Sequence, residues 1–148
     1  MIMFSICLFH LQGLDPRLMT QYHADRISEI SEPKCRLALD SINITDYWYK
    51  AFDMLRTAGI QKRKISSYVL VGYKDGVDSA WTRCETVKQA GVSVNPQWYH
   101  SQFANKYNDC TPEQIKWGWS YKEKIRIMDW YYRRRGIPNK IAGKGAKV

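Results

Sequence analysis

The sequence predicts an α/β protein of four βα units on parallel strands, either a small open sheet or an arc of a barrel. Three observations carry this prediction. Short apolar runs alternate with amphipathic stretches in the order β-α-β-α-β-α-β-α. The strand-to-strand steps of roughly 25–30 residues are the size of βαβ units, whose crossovers are right-handed. No low-complexity segment or linker interrupts the pattern over 148 residues, a length that suits one domain with its own core.

The first run, MIMFSICLFHLQ (residues 1–12), is continuously apolar, as in a strand buried on both faces. It lacks the basic flank and cleavage site of a targeting segment and is too short to span a bilayer. A turn at Pro16 leads to a helix from about Thr20, whose hydroxyl suits an N-cap. Lys34–Ser41, KCRLALDS, is the second strand. Its helix, about Thr45–Ala58, places Trp48, Ala51, Phe52 and Leu55 in one apolar stripe and closes with Gly59. Tyr68–Val71 is the third strand, ending at Gly72 with Lys74 and Asp75 at its mouth, where parallel α/β proteins keep ligands. Ala80, Trp81, Cys84 and Val87 form the next helical stripe, and Gly91 closes it. VSVNPQWYH (residues 92–100) gives a shorter fourth strand, interrupted near its end by Pro96.

After a polar loop over residues 101–110, a single last helix is expected from Thr111, with Pro112 at its first position and Glu113 in its first turn. GKGAKV reads as a frayed tail. The expected division is therefore a body over residues 1–110 and a basic aromatic helix and tail over residues 111–148. The apolar first strand has no preceding helix to cover its outer neighbour. An exposed edge of that composition invites aggregation, so the chain reads as part of something larger or half of an obligate assembly.

Charge sharpens the division. Of the +9 net charge, residues 111–148 hold 10 Lys/Arg against 3 Asp/Glu, while residues 1–110 hold 13 against 11. Cys7, Cys35, Cys84 and Cys110 stand 28, 49 and 26 residues apart, with no CxxC or CxxxCxxC cluster. An even count leaves disulfides formally possible, but Cys35 and Cys84 lie on apolar faces of predicted elements, where buried, reduced thiols and a cytoplasmic, reducing setting fit better. His10, His23 and His100 are dispersed and make no metal-site pattern, so no metal ligand is assigned. Arg17 and Arg83 read as helix-surface or ion-pair residues. Cys84 faces inward on its stripe and is not expected to act as a nucleophile.

The ordered series LQGLDPRLMT, CRLALDS, AFDMLRTAGI and YVLVGYKDGVDSAWTRCETVKQAGVSVNP resembles the later part of a radical S-adenosylmethionine (radical SAM) protein, of the small phage and environmental type. The likeness runs from about Phe9 to Tyr99. It implies a partial TIM-like (βα)6 barrel, with this chain as strands three to six. In that family three cysteines of a CxxxCxxC loop hold a [4Fe-4S] cluster, SAM chelates its open iron, and a 5′-deoxyadenosyl radical abstracts hydrogen from substrate. The cluster loop has no counterpart in this sequence, so the resemblance implies a cluster in the complete protein only and an inactive isolated chain.

What the resemblance carries over is the SAM side of the pocket. Asp40 matches a polar strand-end position near the ribose or amino-acid part of SAM. Val69, Val71, Gly72 and Tyr73 match the segment that packs on adenine, with Gly72 letting the backbone approach closely. Asn95, Pro96 and Gln97 stand where the sixth strand reaches the same mouth, and Gln12 and Asp15 would face substrate or SAM. Asp40 reads equally as a turn or N-cap residue, and Gly72 equally as turn geometry alone.

A second class stays open: a non-enzymatic nucleic-acid-binding or interaction module. Trp117, Trp119, Tyr121, Trp130, Tyr131 and Tyr132 interleave with Lys116, Lys122, Lys124, Arg126 and Arg133–Arg135, a pattern for phosphates and stacked bases. Against it, Ile115, Trp119, Lys122, Arg126 and Trp130 follow helical steps, as in a docked helix whose aromatics pack inward and whose basic groups stay solvated.

Overall fold

Strands whose side chains alternate between apolar and polar can bury only one face, and helices must cover that face. The computed structural model, which describes residues 10–102, 104, 106 and 109–133, has this arrangement. Strands β1 (His10–Leu14), β2 (Lys34–Ala38), β3 (Ile65–Val71) and β4 (Ser93–Trp98) form one parallel sheet in the order β1-β2-β3-β4. Residues 1–9 of the predicted first strand and the tail over 143–148 lie outside the described residues. β1 carries a bulge that the sequence pattern does not announce: Leu11 pairs with Cys35, but Leu14 pairs with Leu37.

One face of the sheet supplies Cys35, Leu37, Ile65, Val69, Val71 and Val94 to a single core with the helices. Helix α1 (Gln21–Ser28) starts at Thr20 as expected, and its cap is reciprocal. The Thr20 hydroxyl accepts from His23 N–H, and the Thr20 amide donates to His23 Nδ1. Helix α2 (Thr45–Thr57) buries the predicted stripe of Trp48, Ala51, Phe52 and Leu55. Trp48 Nε1 donates to Ser67 Oγ at 2.9 Å, and Ser67 Oγ bonds the Leu37 carbonyl at 3.1 Å. That relay explains a serine on the buried face of β3, since a buried hydroxyl needs partners.

Helix α3 (Val77–Gln89) buries Ala80, Cys84 and Val87 as predicted, but Arg83 takes the place expected of Trp81. Trp81 is only half-buried, against the Trp130 and Tyr131 rings. Arg83 is fully buried, so its helix-surface reading is corrected and its ion-pair reading is kept.

The single C-terminal helix is also corrected. It is two helices, α4 (Pro112–Lys116) and α5 (Tyr121–Arg133), parted at Gly118, whose φ of +91° no helix continues through. The break resets the helical phase. Ile115 and Trp130 are exposed at 59% and 44%, whereas Trp119, Lys124, Ile127 and Tyr131 are buried. α5 packs on β4.

The opposite face of the sheet is uncovered by these helices and largely polar. Its rows run Arg36–Ser66–Ser93, then Ala38–Tyr68–Asn95, then Leu70–Gln97 across β2, β3 and β4. Among the described residues no helix is long and apolar enough to cross a membrane.

Candidate functional site

The C-terminal ends of four parallel strands meet along one edge, which gathers residues far apart in sequence. After β1, Asp15 caps the turn Pro16–Leu18 and accepts from Arg17 N–H at 3.0 Å and from Arg17 Nη2 at 2.6 Å. Those bonds hold the Asp15 carboxyl below its ordinary range. After β2, Asp40 stands at the rim. Loss of hydration pushes its carboxyl up, opposed by Arg83 and Arg17 and reinforced by Asp15. The mouth thus brings Asp15, Arg17 and Asp40 within electrostatic reach of one another. Two carboxylates of unequal basicity beside a guanidinium suit the hydroxyl and ammonium groups of a polar ligand.

The third wall is built from within. Arg83 Nη1 donates to the Leu39 carbonyl at 2.9 Å and the Leu70 carbonyl at 2.7 Å, and Nη2 pairs with Asp75. Burial pushes the Asp75 carboxyl up, against the pull of Arg83 and of the Tyr73 and Gly72 amides. Gln114 Nε2 bonds the carbonyls of Gly72 at 2.9 Å and Tyr99 at 3.1 Å, and Trp119 Nε1 donates to the Asp75 carbonyl at 2.9 Å. The Tyr73 and Tyr99 rings lie 4.6 Å apart, and the Lys74 ammonium sits 5.4 Å from the Tyr73 centroid.

Gly72 has φ +82°, and a Cβ there would lie 2.7 Å from Trp98 Cζ3. The space its missing side chain leaves is filled by the Trp98 indole, so its conformation serves an internal contact. Lys124 lies under the same indole, 4.8 Å from its centroid and 4% exposed. Burial lowers Lys124 to about 8, with Cys110 and Asp109 pulling the other way.

The remaining predicted site residues are divided by the sheet. Val69 and Val71 are fully buried on the helix side, and Pro96 is buried with its carbonyl accepting from Tyr132 OH at 2.9 Å. Asn95 and Gln97 lie in the rows of the open face, and Asn95 lines a pocket near the opposite edge rather than the mouth. Gln12 lies within β1.

Sequence reasoning did not place Arg83, Gln114 or Lys124 at the mouth. The signal for Arg83 was present, since Ala80, Arg83, Cys84 and Val87 have the same helical spacing as the stripe of α2.

Among the described residues no group of three or more His, Cys, Asp or Glu is placed to hold a metal ion. Cys35 and Cys84 are buried free thiols, and burial pushes Cys35 up to about 11, away from the thiolate that ligates iron. An iron–sulfur cluster therefore does not fit the described cysteines. Compared with protein-family models, curated proteins and solved structures, the chain gives no match.

Proposed function

We propose that this chain is the SAM-binding portion of a radical SAM enzyme, an arc of a partial TIM-like barrel acting in a reducing, cytoplasmic setting. The observation that supports this reading best is the sheet itself. Four parallel strands follow one another in sequence order, with helices on one face and a polar row pattern on the other. A barrel arc has that sidedness, because its helices cover only the outer face of the sheet.

Asp15 and Asp40 are the residues this reading assigns to SAM at the mouth. Asp40, the more basic carboxylate, accepts from ribose hydroxyls or the ammonium group, and Arg17 holds Asp15 ionised beside it. Tyr73 offers an aromatic surface, 36% exposed, at the end of β3. The chemistry SAM supplies in this family is a carbon-centred radical, released with an electron from a [4Fe-4S] cluster. Since the cluster does not fit the described cysteines, this reading assigns it to strands preceding these.

The test is a nuclear magnetic resonance titration of the chain with millimolar SAM. Saturable shifts at Asp15, Asp40 and Tyr73, reduced in Asp40→Asn, are the expected result. Shifts elsewhere only, or none while the chain stays folded, would sink the reading.

A further inference from the structure

At the edge of the sheet opposite the mouth, Lys34, Arg36, Arg63 and Lys64 converge on a pocket of about 200 Å³ with Ser66 and Asn95. Lys34 and Arg36 alternate with buried residues on β2, which puts both on the open face. Arg63 and Lys64 come from the turn Lys62–Lys64 that leads into β3. The described lining holds four cations and no carboxylate.

Glu32, at 69% exposure, stands outside that lining and pairs with Lys64. Arg63 and Lys34 act on the same carboxylate, which their charges, after that of Lys64, hold below its ordinary range. Arg36 instead donates to the Tyr68 hydroxyl with its guanidinium 5.3 Å from that ring, and Arg63 Nε donates to Gln61 Oε1 at 2.8 Å. Both arginines are thus oriented by uncharged partners. Four cations line the pocket and three of them act on a single outlying carboxylate, so they repel one another, and a compact multivalent anion relieves that repulsion.

We propose that this pocket binds a small ligand through one or two phosphate groups. Arginine and lysine supply charge-assisted donors, and Ser66 and Asn95 add neutral ones. A single-stranded nucleic acid fits less well, because stacking needs a free aromatic face and Arg36 lies against Tyr68. The site lies at the other edge of the sheet from Asp15 and Asp40 and stands independently of the SAM reading.

Calorimetric titration of the full chain with inorganic pyrophosphate tests the proposal, with inorganic phosphate and a single-stranded oligonucleotide run in parallel. One-to-one binding of pyrophosphate, tighter than phosphate, is expected. Arg63→Ala, an exposed position, should weaken it about tenfold. Glu32→Gln should tighten it severalfold by freeing Lys64, a gain that a damaged fold cannot mimic. No saturable pyrophosphate binding, binding that neither variant alters, or oligonucleotide binding that pyrophosphate does not displace would each overturn the proposal.

Discussion

At the mouth of the sheet, Arg83 has no exposure and turns its two Nη groups to two carbonyls and a carboxylate. At the opposite edge, Arg36 and Arg63 lean on neutral side chains, and Lys64 shares its carboxylate with the solvent. The two edges use the same residue types in opposite ways. One is knitted shut from the helix side by Arg83, Gln114 and Trp119. The other carries its cations on strands and turns, facing outward. The buried charge of Arg83 and Asp75 at the first edge is structural, whereas the cations of the second line a pocket.

That contrast breaks most sharply at Arg83. Arg83→Ala strands the Asp75 carboxylate and two carbonyls, and should cost about 3–5 kcal/mol in denaturant unfolding. Arg17→Ala, at the solvent-facing pair with Asp15, should cost under about 1 kcal/mol in the same measurement. Similar losses at both positions would erase the distinction between a knitted interior and a dispensable rim.

Next in size is Gly72. Gly72→Ala adds a Cβ against Trp98 to a left-handed backbone, and should cost about 2–4 kcal/mol. Gly59→Ala, at φ +90° with nothing within 4 Å, meets only the backbone penalty and should cost about 1 kcal/mol. Equal costs would mean that Trp98 yields easily.

A smaller, pH-dependent effect belongs to Lys124. Its folded value of about 8 lies below the ordinary 10.5, so the unfolded chain binds more protons above pH 8. Stability should therefore rise as pH goes from about 8 to 9, before the Cys35 and Cys110 thiols, both raised from 9.0, begin to oppose it. Thermal melts of Lys124→Met should lack that rise. The smallest effect is expected at the opposite edge. Arg63→Ala should change stability by no more than about 0.5 kcal/mol while altering pyrophosphate binding.

The division into elements was legible because it rests on local chemistry. Thr20 and Thr111 announced their caps, and Trp48, Ala51, Phe52 and Leu55 announced the inner face of α2. The last helix was misread because a strong start at Thr111 outweighed one glycine, and the phase beyond Gly118 depends on where the break falls. Arg83 escaped because an arginine on an apolar stripe is ordinarily solvated, and only the tertiary fold shows the carbonyls it reaches. The mouth was legible as a place, while its members were not. Strand alternation sends Val69, Val71 and Pro96 to the helix side, a partition that depends on which face the helices cover.

Pro96 carries a further consequence. Tyr99 N–H donates to the Val71 carbonyl, so by alternation Pro96 faces away from β3, where it has no N–H and its carbonyl is taken by Tyr132. An incoming chain thus meets a missing donor and an occupied acceptor at the centre of β4. Templated strand addition is therefore disfavoured on the outer flank of β4.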